Sequence, residues 1–253
     1  MHIDLKGIRQ EDILRILGQL DPNTTSVYLT CNDLGLKTAE ELVQIFHALP
    51  MNLQSLNLGY NDLDRKTADE LARILHALPT NLLSLDLGDF LNYKTADALV
   101  HVLRALPPNL QSLGLQSNQL HSKTAHELER ILSVLPASLK SLNLRFNYLS
   151  DKNDEALIAL LEVFRGRALT ELKLDSSTMK RPVVRTAFDA IIGVRAHNAR
   201  QKEATLLGVL LSELTPSPSA ALPASHPEGF FASAPLSVQA PDNPTPVNSC
   251  MLL

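Results

Sequence analysis

Leu29, Leu58, Leu87, Leu115, Leu144 and Leu174 are separated by 29, 29, 28, 29 and 30 residues. A fixed period of this size commits a chain to a stack of equal units. Two further landmarks keep the same phase. Lys-Thr-Ala recurs at 37–39, 66–68, 94–96 and 123–125, and Ala-Leu-Pro at 48–50, 77–79 and 105–107. Three series in phase leave little room for a globular fold with one central core.

Residues 53–79 show what each unit contains. Leu56 and Leu58 alternate as a strand with one buried face requires, while Leu71, Ile74, Leu75 and Leu78 recur at helical spacing. Asn61 and Leu63 mark the exit turn between them, and Pro79 closes the helix. A lone strand–turn–helix unit buries too little apolar surface to offset the entropy of ordering it, so stacking must supply the missing burial and ladder hydrogen bonds.

The pattern L-x-x-L-x-L-x-x-N-x-L is complete at Leu53–Leu63, Leu110–Leu120 and Leu139–Leu149. Residues 25–180 thereby resemble leucine-rich repeat proteins, and the period with a full helix resembles the ribonuclease-inhibitor subclass. The resemblance implies an α/β fold, a right-handed horseshoe solenoid with a parallel sheet on the concave face and helices on the convex face. Asn32, Asn61, Asn118 and Asn147 share one turn position. An amide both donates and accepts, so this column is expected to satisfy turn backbone and to do no chemistry.

Thr38–Glu41, Thr67–Glu70 and Thr124–Glu127 read as capping boxes at helix starts. Asn153-Asp154-Glu155 replaces the box in the fifth unit and should still cap. The third unit departs from the pattern. Gly88-Asp89-Phe90-Leu91-Asn92-Tyr93 is one residue short, lacks asparagine at the ladder position, and has Ala98 where the capping glutamate would stand. Phe90 or Leu91 either tucks into the core or forms a protrusion that meets a partner.

Residues 1–24 read as an amino-terminal helical cap, with Ile13, Leu17 and Leu20 on its apolar face and Glu11 and Asp12 where the helix dipole favours them. Residues 181–214 read as a carboxy-terminal helical cap opened by Pro182. Residues 215–249 hold eight prolines among Ser and Ala and no Lys or Arg, a composition expected to remain a disordered linker.

The strand positions between the leucines should face the concave side. Tyr28, Asn57, Tyr60, Asp86, Phe90, Arg145, Phe146 and Lys173 are the candidate contacts for a protein partner, because tyrosine and arginine dominate interface hot spots. Arg145 and Lys173 have a second reading as a solvated charge ladder with Asp86 or Asp175.

Catalysis and cofactors find no footing in the sequence. His47, His76, His101, His121 and His126 form no His-Glu-x-x-His arrangement, and no metal site is expected. Neither a glycine-rich phosphate loop nor a nucleophile elbow is present, so the chain is read as non-enzymatic. A net charge of -4 argues against nucleic acid as a partner. Two distant cysteines, Cys31 and Cys250, exclude a disulfide framework and fit a reducing compartment.

The chain ends Cys250-Met251-Leu252-Leu253, a C-a-a-X box in which leucine at the last position favours geranylgeranyl. Cys250 is therefore the expected lipidation site, with a prenyltransferase as the partner at this end. The tail carries neither a polybasic run nor a second cysteine, so residence on the cytosolic face of a eukaryotic membrane should be reversible and leave a soluble cytosolic pool. Repeats combined with this box resemble the prenylated leucine-rich repeat effectors of intracellular bacterial pathogens. That resemblance implies secretion into a host cell and binding of a host protein. A soluble scaffold or enzyme inhibitor, acting through the concave face without lipid, is the alternative.

Overall fold

In the computed structural model, which describes residues 1–193, the repeats form six parallel strands paired in strict sequence order. The order is α1 (Gln10–Gly18), β1 (Ser26–Tyr28), α2 (Ala39–His47), β2 (Ser55–Asn57), α3 (Ala68–His76), β3 (Ser84–Asp86) and α4 (Ala96–Arg104). It continues with β4 (Ser112–Gly114), α5 (Ala125–Ser133), β5 (Ser141–Asn143), α6 (Asp154–Glu162), β6 (Glu171–Lys173), the short α7 (Ser176–Met179) and α8 (Pro182–Phe188). These residues belong to one compact unit, Met1–Arg200.

Register follows the repeat. Ser26, Ser55, Ser84, Ser112 and Ser141 align across the sheet, followed by the column Val27, Leu56, Leu85, Leu113, Leu142 and Leu172. That apolar column is buried against the helices, while its neighbours are half-buried on the open face in β2 to β5. Each helix from α2 to α5 packs on the next. Packed helices lie about 8–10 Å apart and strands about 4.8 Å apart, so the sheet must line the inner, concave side of such a stack.

The helix starts obey their sequence signals. Thr38, Thr67 and Thr124 each accept the N–H of a glutamate three residues on, and that glutamate reaches back to the threonine N–H at 2.7–2.8 Å. Thr95 caps with its hydroxyl alone, and Asn153 accepts from Ala156 N–H at 2.9 Å. The lysine that precedes the helix cap also bridges between repeats, in three of the units through its ammonium. Lys37 Nζ donates to the carbonyl of Ile8 at 3.1 Å, Lys94 to that of Asp64 at 2.5 Å, and Lys152 to that of Lys123 at 2.5 Å, so each ties one repeat to the one before.

The amino-terminal segment adds more than a helix. Ile3 N–H donates to Tyr28 O at 3.0 Å and Tyr28 N–H to Met1 O at 2.8 Å, which lays residues 1–3 along β1 as a strand-like edge. Ile3 and Leu5 are buried by this pairing. At the other end Pro182 sits in the first turn of α8, which runs into a π-helical turn at Asp189–Gly193. Residues 194–214 of the carboxy-terminal cap expected over 181–214, the 215–249 linker and the 250–253 box lie outside the described residues.

Repeat three resolves its irregular turn inward. Phe90 and Leu91 are 1% and 2% exposed, and both N–H groups donate to Asn118 Oδ1 at 2.9 and 2.6 Å. The expectation that Phe90 contacts a partner is corrected: the shortened loop leaves its ring no route but the core.

Candidate functional site

Concave-face side chains are largely engaged with one another. Asp86 Oδ1 accepts from Gly88 N–H at 2.9 Å and from Gln116 Nε2 at 2.7 Å, and Asn57 Nδ2 donates to Asp86 Oδ2 at 3.4 Å. Asn143 Nδ2 donates to Gln116 Oε1 at 3.2 Å. The network thus crosses four strands. Asn57 and Asn143 also turn back to accept the N–H two residues on, at Gly59 and Arg145. Glycine leaves room for this network: a Cβ on Gly114 would stand 2.8 Å from both Asp86 Oδ1 and Gln116 Oε1, so those side chains would have to shift.

The charge ladder entertained for Arg145 and Lys173 is not formed. Lys173 pairs instead with Glu171 on its own strand at 3.2 Å, and Ser141 Oγ donates to the same carboxylate at 2.6 Å. These two contacts, the hydroxyl first, hold the Glu171 carboxyl below the usual glutamate range. Asp175 is occupied by the N–H of Phe146 at 2.8 Å. Arg145 is exposed, and among the described residues no carboxylate lies within ion-pair distance of its guanidinium.

Where the strands exit toward the helices, the backbone forms a rim. Two residues flank each ladder asparagine in the left-handed region: Cys31 and Asp33, Tyr60 and Asp62, Ser117 and Gln119, Phe146 and Tyr148. Asp89 and Tyr93 are the equivalents in repeat three. The asparagines inside the turns are buried and hydrogen-bonded. Asn147, for example, donates to the carbonyls of Leu115, Leu144 and Arg145 at 2.8–3.3 Å.

The predicted contact residues distribute unevenly over this surface. Tyr28 is 43% exposed at the first strand, and Phe146 is 62% exposed on the rim. Tyr60 is half-buried, its hydroxyl 3.5 Å from Ser117 Oγ. Asn57 and Asp86 are absorbed in the network. Sequence reasoning missed Tyr93 and Tyr148, 82% and 59% exposed, because neither lies on a strand. Their signal was positional: each stands where other repeats carry Asp or Gln. Tyr148 meets His121 edge to face, with ring centroids 5.3 Å apart.

Phe146, Tyr148, Arg145, Asp175 and Ser177 line a recess of about 410 Å³ at the fifth and sixth repeats. Three carboxylates, Asp62, Asp64 and Asp89, gather at the turns of the second and third repeats, where Arg65 pairs with Asp62 at 2.9 Å. Burial, then the nearby Asp64 and Asp62, push the Asp89 carboxyl above the usual aspartate range. Burial and then Asp62 do the same to Asp64. Among the described residues there is no group of three or more His, Cys, Asp or Glu placed to hold a metal, and no helix is long and apolar enough to cross a membrane.

Residues 50–72 match the family model for the leucine rich repeat. Among solved structures, the leucine-rich repeat-containing protein LegL7 from Legionella pneumophila is similar at 31% identity, over 76% of this chain and 70% of that one, with a TM-score of 0.64. The chain belongs to the leucine-rich repeat family. The tropomodulin C-terminal domain from Caenorhabditis elegans (13% identity over 78% of this chain and 98% of that chain, TM-score 0.38) also aligns with this leucine-rich repeat protein. So does leiomodin-1 actin-binding site 2 (15% identity, 79% and 96%, TM-score 0.41). A search among curated proteins finds no match.

Proposed function

We propose that this leucine-rich repeat chain is a non-enzymatic protein-binding module, held on the cytosolic face of a host membrane by a geranylgeranyl group on Cys250. The repeat stack supplies a surface of fixed shape, and the exposed Tyr28, Phe146, Tyr148 and Arg145 supply residues of the type that dominate protein interfaces. The observation that carries the membrane half is the tetrapeptide Cys250-Met251-Leu252-Leu253, a match to the C-a-a-X pattern. Similarity to LegL7, a leucine-rich repeat-containing protein of the bacterium Legionella pneumophila, supports a bacterial origin within this reading.

Cys250→Ser tests the tether. Expressed in eukaryotic cells, the wild type should divide between membrane and cytosol, whereas Cys250→Ser, or wild type with a geranylgeranyltransferase inhibitor, should be cytosolic. Identical distribution in all three conditions would remove the lipid and leave a soluble scaffold or inhibitor.

A further inference from the structure

The sheet face and the rim differ in what they leave available. On the sheet, Asn57, Asp86, Gln116 and Asn143 spend their polar groups on one another and on the backbone. On the rim, aromatic rings stand at backbone positions that disfavour them. Tyr60, Tyr93, Phe146 and Tyr148 all have φ between 53° and 60°. A left-handed backbone conformation costs an ordinary L-residue about 1–2 kcal/mol, a cost that glycine avoids and asparagine or aspartate reduces. Phe146 and Tyr148 are more than half exposed, so burial does not repay that cost. Strain kept at an exposed aromatic position points to a use outside the fold.

From these observations we infer that the rim at Arg145, Phe146 and Tyr148 is the recognition site, and that it takes a partner polypeptide segment with a carboxylate side chain next to an apolar one. This inference rests on the reading of the chain as a protein-binding module and assigns that module its contact surface. The carboxylate meets Arg145, whose planar fork of donors matches a carboxylate in bidentate fashion. The apolar neighbour enters the recess between Phe146, Tyr148 and Ser177. Asp175 Oδ1 accepts the Phe146 N–H at 2.8 Å, and among the described residues Asp175 makes no ion pair with Arg145.

The test is a displayed library of random 12-residue peptides selected on the immobilised full chain. Enriched peptides should share Asp or Glu beside Leu, Ile, Phe or Pro. Their affinity should fall at least tenfold with Arg145→Gln and with Phe146→Ala, and less than twofold with Tyr28→Ala. Both rim side chains are exposed, so an unchanged unfolding transition will show that the variants remain folded. Peptides that bind but lack an acidic residue, or that respond to Tyr28→Ala and not to the rim variants, would overturn the rim assignment while leaving the binding-module reading intact. A full chain that self-associates through Phe146, as sedimentation would show, would name a second copy as occupant and overturn it also. Failure to enrich any peptide would count against the binding-module reading and the rim together.

Discussion

The backbone N–H of Asn118 donates to the side-chain oxygen of Asn147, 2.8 Å away in the next repeat. Asn32 N–H makes the same bond to Asn61 at 2.7 Å. Each amide therefore closes its own turn with its donors and the preceding turn with its acceptor. The series is interrupted at Phe90 and resumes at Asn118, which accepts two N–H groups of the shortened turn. At the last repeat the position is Ser177, and Asp175 takes over by accepting from Phe146.

Asn147 is fully buried, and its oxygen also accepts Leu120 N–H at 3.3 Å. Replacing it with alanine strands two N–H donors and the carbonyls of Leu115 and Leu144 away from water. Asn147→Ala should therefore destabilise the chain by about 3 kcal/mol. Urea unfolding monitored by circular dichroism measures this, and a loss below about 1 kcal/mol would deny the ladder its structural role.

Phe90 and Phe146 lie in the strand-exit turns of the third and fifth repeats with opposite fates, one buried and one exposed. Phe90→Ala should cost about 3–5 kcal/mol, the range for a fully buried aromatic. Phe146→Asn should raise stability by about 0.5–1 kcal/mol, since asparagine tolerates the left-handed conformation and little burial is lost. Paired thermal melts decide the matter. A destabilised Phe146→Asn would mean that its ring supports the fold.

Gly35 lies against the next repeat so closely that an added Cβ would stand 2.3 Å from the carbonyl oxygen of Asp62. Backbone cannot swing aside as a side chain can. Gly35→Ala should cost about 1–3 kcal/mol from overpacking, read as a lower denaturant midpoint.

The capping glutamates Glu70 and Glu127 are held below the usual glutamate range, first by the N–H and then by the hydroxyl of Thr67 and Thr124. A depressed folded pKa gives stability that is present above the unfolded value of 4.5 and is lost as pH falls through the folded one. Asp64 and Asp89 have the opposite sign. Their carboxyls are raised, so as pH falls toward the unfolded value of 3.8 they gain stability for the fold. Glu70→Gln with Glu127→Gln should flatten the acid loss of stability below pH 4.5. An unchanged pH profile would show that these caps do not contribute to it.

The periodic parts of the molecule were the legible ones. Leucines at a constant spacing, Thr-Ala-x-Glu and the asparagine column each answer to a local rule that any repeat can satisfy, and the structure places them accordingly. Legibility failed where a contact crosses repeats without a sequence rule. Nothing local says that Lys94 reaches the Asp64 carbonyl or that Asp86 is consumed by Gln116. Phe90 stayed ambiguous because a ring beside a turn can point either way, and only the missing residue in its loop turns it inward. Tyr148 escaped notice because strand alternation selects sheet-facing positions, whereas the rim is set by φ.

The most direct measurement for the account as a whole is the mass of the carboxy-terminal peptide from chain purified out of eukaryotic cells. Loss of Met251–Leu253 and a geranylgeranyl thioether on Cys250, absent from Cys250→Ser, are the expected result. A carboxy-terminal peptide that ends at Leu253 with an unmodified Cys250 would contradict it.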